Sequence, residues 1–290
     1  PGIGRELASW IISGVPQFDA ADVDVRRFAA TQANRRFLHD RTKEGLGRLY
    51  AMHWPQLQMS TGRGVRRSPL HDRLAAMGAA FGELNGWERA NWYADPGTTP
   101  LYEYSYGRPN WFDQVKAEHD AAREGVVLFD LSPFAKIEVA GPEALDVVQR
   151  AFTANMDVEI NKSVYTLQLN EAGGIELDGT VTRVAADRFL VVTPSATLHK
   201  TLSIIERLAT GSAAAVFDAT AAYATIAVMG PKSRELLERV SPENWSDEAQ
   251  KYTYGRRVEI ADGYAYALRV SFVGELGYEL YVSSDLALNV

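Results

Sequence analysis

The sequence predicts an α+β fold made of two related subdomains. Three observations predict it. A strand followed by Gly-Pro and an amphipathic helix occurs twice, at residues 137–139 with Gly141-Pro142 and at residues 225–229 with Gly230-Pro231. Between the copies, two apolar runs flank Asn170-Glu171-Ala172-Gly173-Gly174, the pattern of a hairpin with a glycine turn. Towards the end, Tyr264, Tyr266, Leu268, Val270 and Phe272 alternate with Ala265, Ala267, Arg269 and Ser271, as in a strand with one buried face.

Element by element, residues 1–14 read as a glycine-rich turn feeding a helix. Leu7, Trp10 and Ile11 recur there at helical spacing, and Gly14 ends it. A polar connector around Pro16 follows. From Arg35 to about Gly82 helical stretches are interrupted by a Gly/Arg/Ser-rich segment, residues 60–69. Residues 86–109 crowd Trp87, Trp92, Tyr93, Tyr102, Tyr104 and Tyr106 among prolines, which reads as a loop with aromatic anchors. Residues 113–124 form a polar helix with Gly125 as its C-cap. Pro142 opens a helix with Leu145, Val148 and Phe152 on one face. The hairpin strands are residues 164–169 and 180–184. Residues 189–192 add a strand, and Leu198, Leu202, Ile205 and Leu208 mark a helix. Leu236, Leu237 and Val240 mark the helix of the second Gly-Pro unit, and residues 278–282 form the last strand. Both ends read as interior to a longer chain, so the sequence is expected to be a fragment.

Composition narrows the classes of function. Of 290 residues 46% are hydrophobic, enough for a sizeable core, and the formal net charge is −7 with no basic run. Nucleic acid and anionic membranes are therefore not expected partners. No apolar run approaches the roughly eighteen residues needed to span a bilayer. Without cysteine, the chain has no disulfide, thiolate nucleophile or Cys-ligated metal, which fits a reducing compartment; the expected location is cytoplasmic, or the mitochondrial matrix if the source is eukaryotic. The five histidines are scattered with no ligand spacing, so no metal site is expected.

Chemistry concentrates at three places. Gly2-x-Gly4 ahead of a helix either presents backbone N–H groups to an anion or is a plain loop–helix junction. Asp178 lies just inside the return strand of the hairpin, on the face of Glu176 and Thr180, where a carboxylate is costly unless solvated or paired. It is a candidate for proton handling or cation stabilisation, with a solvent-facing edge carboxylate as the bland reading. Glu275, bracketed by Gly274 and Gly277, is presented from a tight bend and serves either a ligand or solubility.

Taken together, these pieces match one family. Glu171-Ala172-Gly173-Gly174-Ile175-x-x-Asp178, the two Gly-Pro units and Gly274-Glu275-x-Gly277-Tyr278-Glu279 resemble the folate-binding region of the glycine-cleavage T-protein, an aminomethyltransferase. Gly2-Ile3-Gly4-Arg5-Glu6-Leu7-Ala8-x-Trp10-Ile11 looks like the last flavin-domain helix of dimethylglycine and sarcosine dehydrogenases. Arg67-Ser68-Pro69-Leu70-x-Asp72-Arg73-Leu74 and Gly86-Trp87-Glu88-Arg89-x-x-Trp92 look like their middle domain. The resemblance implies a T-protein-like fold with antiparallel sheets, preceded by the tail of a flavin-oxidoreductase domain. It divides the chain into a flavin-domain remnant at 1–28, a middle domain at 29–97 and an aminomethyltransferase domain at 98–290 that lacks its C-terminal barrel.

The implied protein is an FAD- and tetrahydrofolate-dependent N-demethylating dehydrogenase or oxidase. Its partners would be folate and a small N-methylated amine, with the one-carbon unit captured as 5,10-methylenetetrahydrofolate; alone, this stretch would not oxidise an amine. The resemblance makes Asp178 the catalytic aspartate, Tyr165 a pterin-pocket tyrosine and Glu275 the carboxylate on the pterin ring. Gly2, Ile3 and Gly4 match a turn at the flavin pyrimidine. T-proteins commonly carry two adjacent Asp where this chain has Leu177-Asp178, and a bulky apolar residue where it has Gly179. A stand-alone folate-dependent transferase and a non-catalytic regulatory subunit of the same architecture are the alternatives.

Overall fold

The computed structural model describes residues 2–14, 16–17, 20, 23–171 and 173–290, with only the backbone of Arg26. Helix α1 (Gly2–Ser13) buries no residue, and Gly14 closes it at φ +77°, its N–H returning to the Trp10 carbonyl at 2.8 Å. The expected glycine turn is not formed. Gly2, Ile3 and Gly4 make the first turn of α1 itself, with Ile3 86% exposed. First-turn N–H groups need no intrahelical acceptor, so glycine is tolerated there when no neighbour imposes another conformation.

Asn34 caps α2 (Arg35–Arg48), its Oδ1 accepting from the amides of Arg36 and Phe37. After α3 (His71–Ala76) the chain departs from the helix-then-loop expectation and forms an antiparallel hairpin, β1 (Ala79–Leu84) and β2 (Trp87–Tyr93). Asn85 and Gly86, at φ +52° and +80°, supply the two-residue turn that allows it. The aromatic anchors are real: Trp92, Tyr102, Tyr104 and Trp111 pack on one another, Tyr102 edge-on to Trp111 at 5.3 Å. Trp87 lies elsewhere, under the Arg66 guanidinium. Helix α4 (Phe112–Glu124) follows as expected, with Gly125 at its C-cap.

The remaining elements are β3 (Val127–Asp130), β4 (Ala135–Ala140), α5 (Ala144–Ala151), β5 (Ser163–Leu169), β6 (Ile175–Ala185), β7 (Arg188–Thr193), α6 (Leu198–Ala209), β8 (Ala215–Asp218), β9 (Tyr223–Met229), α7 (Ser233–Val240), β10 (Gly255–Ile260), β11 (Gly263–Leu268) and β12 (Gly277–Ser283). They build two five-stranded sheets, ordered β5-β6-β7-β4-β8 and β10-β11-β12-β9-β3, with every pairing antiparallel. The two orders are the same arrangement used twice, with one exchange. Strand β3 precedes β4 in the chain but pairs with β9, while β8 precedes β9 but pairs with β4. The two Gly-Pro corners also match. Gly141 and Gly230 hold φ +131° and +129°, and a Cβ on either would come within 2.4 Å of a backbone carbonyl oxygen.

Helices α5 and α6 cover the outer face of the first sheet over Ile137, Val147, Phe189 and Ile205, all at most 1% exposed. Helix α7 and Trp245 cover the second over Tyr278 and Leu280. The inner faces meet each other at a seam formed by Leu190, Val192, Leu268 and Tyr281. This double cover reverses the expectation for residues 264–272. The small residues Ala265 and Ala267 face the helix side, making room for Trp245, while Tyr266, Leu268 and Val270 enter the seam. The strand also stops at Leu268, and Phe272 is 85% exposed.

Candidate functional site between the two sheets

The glycine hairpin forms as expected. Asn170 Oδ1 accepts from the Gly174 amide at 2.8 Å and Gly173 adopts φ +82°. Strand register then sets Leu167 opposite Asp178 and Tyr165 opposite Thr180, so Tyr165 and Asp178 are diagonal neighbours on one face. The Tyr165 hydroxyl donates to Asp178 Oδ2 at 2.8 Å. That hydrogen bond, and then the charge of the carboxylate, raise the Tyr165 pKa and keep the phenol a neutral donor. Both side chains are exposed. Gly179, beside them, is required by close approach: a Cβ there would lie 2.6 Å from the Val192 carbonyl oxygen.

Leu177 and Val181 point into the helix-side core, so Asp178, Thr180 and Thr182 point the other way. Thr180 and Thr182 pair across to Val192 and Leu190, which belong to the seam. Asp178 therefore projects from the first sheet on its seam face. On the facing sheet, Tyr278, Leu280 and Val282 enter the helix-side core, which turns Glu279 and Tyr281 to the seam. Sequence reasoning did not single out Glu279, which ends the Gly274-Glu275-x-Gly277-Tyr278-Glu279 stretch, as a residue of this seam. The signal was the period-two alternation of β12, which separates Glu279 from the buried Tyr278 and Leu280.

Glu279 is half-buried and accepts one hydrogen bond, from the Tyr281 hydroxyl to Oε2 at 2.6 Å; Oε1 has no partner among the described residues. Burial raises the Glu279 pKa, opposed by that hydrogen bond and by the charge of Lys136. Burial raises Tyr281 as well. Glu275 is placed differently. It lies on the bend after Gly274, which holds φ +82°, and its Oε1 pairs with Arg123 of the last turn of α4 at 2.6 Å. The structure thus joins Tyr165 to Asp178 and gives Glu275 a separate partner. One further seam charge is satisfied locally: Glu138 accepts from Arg188 at 2.7 Å and from the Tyr223 hydroxyl at 3.1 Å. Among the described residues, no three His, Asp or Glu side chains form a group that could hold a metal ion.

Two like-ordered antiparallel sheets packed face to face are the arrangement of the aminomethyltransferase fold. The glycine cleavage aminomethyltransferase T of Bartonella henselae superposes with a TM-score of 0.63 at 24% identity, covering 78% of this chain and 55% of that one. The chain belongs to the GCVT N-terminal domain family, whose model matches residues 70–290, and residues 13–68 match the FAD dependent oxidoreductase central domain. Among curated relatives, a 4-methylaminobutanoate oxidase (formaldehyde-forming) of Paenarthrobacter nicotinovorans is 72% identical over all of this chain and 35% of its own length. The mitochondrial pyruvate dehydrogenase phosphatase regulatory subunit of Mus musculus is 32% identical over all of the chain and 34% of its own length. Mitochondrial sarcosine dehydrogenase of Homo sapiens is 30% identical over 97% of the chain and 35% of its own length. The chain thus spans about a third of the length of these relatives. Among the described residues no helix is long and apolar enough to cross a membrane.

Proposed function

We propose that this chain is the folate-binding portion of an FAD-dependent N-demethylating amine oxidoreductase. The observation that carries the reading is the placement of the Tyr165–Asp178 pair and of Glu279 on the facing inner surfaces of the two sheets. A flat, hydrogen-bonding heterocycle suits such a seam. A tyrosine flanks the ring, and a carboxylate with a free oxygen accepts paired N–H groups from an amino-pyrimidinone edge. Glu279 fits the edge-reading role through its unpartnered Oε1, and Glu275, already held by Arg123, serves the rim.

Tetrahydrofolate supplies the nucleophilic amine that accepts the one-carbon unit. Asp178 holds positive charge on the incoming methylene iminium and takes the proton displaced as the amine attacks. Tyr165 fixes the Asp178 carboxylate through Oδ2 and leaves Oδ1 for that work. FAD is assigned to a flavin domain, for which the relatives' greater length leaves room, and would supply the oxidation of the amine; Gly2, Ile3 and Gly4 of α1 are its nearest expected contacts. The 72% identity to the 4-methylaminobutanoate oxidase favours an N-methylated amino acid longer than sarcosine as the amine.

The test is to assay the full-length protein with N-methylated amino acids, with and without tetrahydrofolate. Flavin absorbance, amine-dependent flavin reduction and a fall in free formaldehyde when folate is present are the expected results. Formaldehyde release indifferent to folate would remove the acceptor role. Absence of flavin and of turnover would instead favour the non-catalytic reading that the similarity to the phosphatase regulatory subunit raises.

A further inference from the structure

The pairing of β6 with β7 stops at Thr180, two residues from Asp178. Register sets Thr180 against Val192, and the next such position would set Asp178 against Pro194, which has no N–H to donate. On the other side, the Leu167 carbonyl opposite Asp178 accepts from the Thr153 amide at 3.0 Å and so points away from β6. Leu167 and Asp178 are therefore a non-hydrogen-bonded pair, and the Asp178 carbonyl is turned towards β7. The Thr193 hydroxyl supplies the missing donor, reaching that carbonyl oxygen at 3.4 Å. Thr193 is 1% exposed, and the Thr197 hydroxyl closes the corner, 2.8 Å from Thr193 Oγ1 and 2.9 Å from the Pro194 carbonyl oxygen. The corner is also held from outside. Asn85, in the turn of the β1–β2 hairpin, donates through Nδ2 to the Ser195 carbonyl at 2.8 Å.

We infer, resting on the role given to Asp178 above, that Asn85 and Thr193 are positioning residues for it: the β1–β2 hairpin holds the 193–195 corner, and the corner fixes the backbone from which Asp178 enters the seam. An exposed side chain at the end of a ladder has little packing to aim it, so the hydrogen bond on its own carbonyl sets its direction. The carboxylate has to meet charge that develops at one atom, and a misplacement of about 1 Å costs roughly 10² in rate. One-carbon capture thus depends on a hairpin that precedes both sheets and touches no reacting group.

The test uses the full-length protein and reads the ratio of 5,10-methylenetetrahydrofolate to free formaldehyde, in which differences in amine oxidation cancel. Asn85→Gly keeps the turn at φ +52° and removes only the amide, while Thr193→Val keeps the shape and removes only the hydroxyl. Each should lower the ratio about tenfold at saturating tetrahydrofolate and leave the KM for tetrahydrofolate within about twofold. Thr193→Ser should restore most of the loss. Because both bonds hold one corner, the double variant should lose little beyond either single one. A merely structural role would leave the Tyr165 phenol alone. With Asp178 displaced, that phenol should titrate lower, towards an ordinary tyrosine, in an alkaline difference spectrum against Tyr165→Phe. Asp178→Ala, run beside these variants, separates the two readings. If Asp178→Ala loses capture while Asn85→Gly and Thr193→Val keep either the wild-type ratio or the wild-type Tyr165 titration, the inference alone is overturned. If Asp178→Ala captures at the wild-type ratio, the role of Asp178 falls and the inference with it. Should Thr193→Val fail to fold, Asn85→Gly decides by the same two readings.

Discussion

Replacing Asp178 by alanine should separate two activities of the full-length enzyme. In the structure Asp178 is exposed and its carboxylate receives one hydrogen bond, from Tyr165 at 2.8 Å, so its removal takes little from the fold. A single exposed hydrogen bond contributes little to the fold, and the melting temperature should move by no more than about 4 °C. On the catalytic side, the carboxylate opposes positive charge that develops only as the amine attacks. Losing one such preorganised group costs about 3–4 kcal/mol, or roughly 10²–10³ in rate. Flavin reduction by the amine should stay near wild type, because no flavin contact is assigned to β6. The assay follows amine oxidation, free formaldehyde and 5,10-methylenetetrahydrofolate in one reaction. Formaldehyde should rise as the folate product disappears. With the carboxylate gone, the Tyr165 phenol should titrate lower, towards an ordinary tyrosine, in an alkaline difference spectrum against Tyr165→Phe. Equal loss of oxidation and capture, or capture at the wild-type rate, would refute the role given to Asp178.

Other outcomes follow from the same geometry. Gly230→Ala places a Cβ 2.4 Å from the Gly125 carbonyl oxygen at φ +129°; strain and overpacking of about 1–3 kcal/mol each should lower the melting temperature by at least about 5 °C in calorimetry. Burial lowers the Lys136 pKa from 10.5 to about 8, so between those pH values the unfolded chain binds a proton that the folded chain has released. Wild type should therefore gain up to about 3 kcal/mol on Lys136→Met as pH rises through that window, measured by denaturant unfolding, and parallel curves would contradict it. Glu279→Gln should cost folate affinity about 2–3 kcal/mol, whereas Glu275→Gln, which gives up an exposed pair with Arg123, should cost under about 1 kcal/mol in the same titration.

Much of the fold was legible because its signals are local. The Gly-Pro corners repeat in the sequence, the glycine pair marks the β5–β6 hairpin, and the helical faces of α5 and α6 follow the apolar spacing. Strands β3 and β8 were not legible. Each has four residues, is largely exposed, and finds its partner about a hundred residues away in the one case and about eighty in the other, so neither has a neighbouring pattern to declare it. The face of residues 264–268 was misread for a related reason. Alternation tells which residues share a face, but only the second sheet's position decides which face is covered more tightly. Within the candidate site, Asp178 was singled out by its place in a contiguous hairpin and Tyr165 by the family resemblance, and the hairpin's register puts the two side by side. Lys136 reads in sequence as the polar partner in an alternating strand, and its burial depends on Thr225, 89 residues on.

That same interval of 89 residues separates Lys136 from Thr225 and Gly141 from Gly230, so Lys136 and Thr225 are counterparts in the duplicated unit and touch each other. The exchange of β3 and β8 makes each unit depend on its sibling for an edge. Neither half closes its sheet from its own segment, and a cut in the 209–223 connection would strand β8 from β4 or β3 from β9. During synthesis, β3 must remain an unsealed edge until β9 has emerged, and β4 until β8 has. Folding of the two halves is therefore coupled through two distant pairings, which slows it relative to hairpins alone. Truncations meant to isolate one sheet should yield aggregates, whereas breaks in the β5–β6 turn at residues 170–174, which crosses no exchanged strand, should be tolerated.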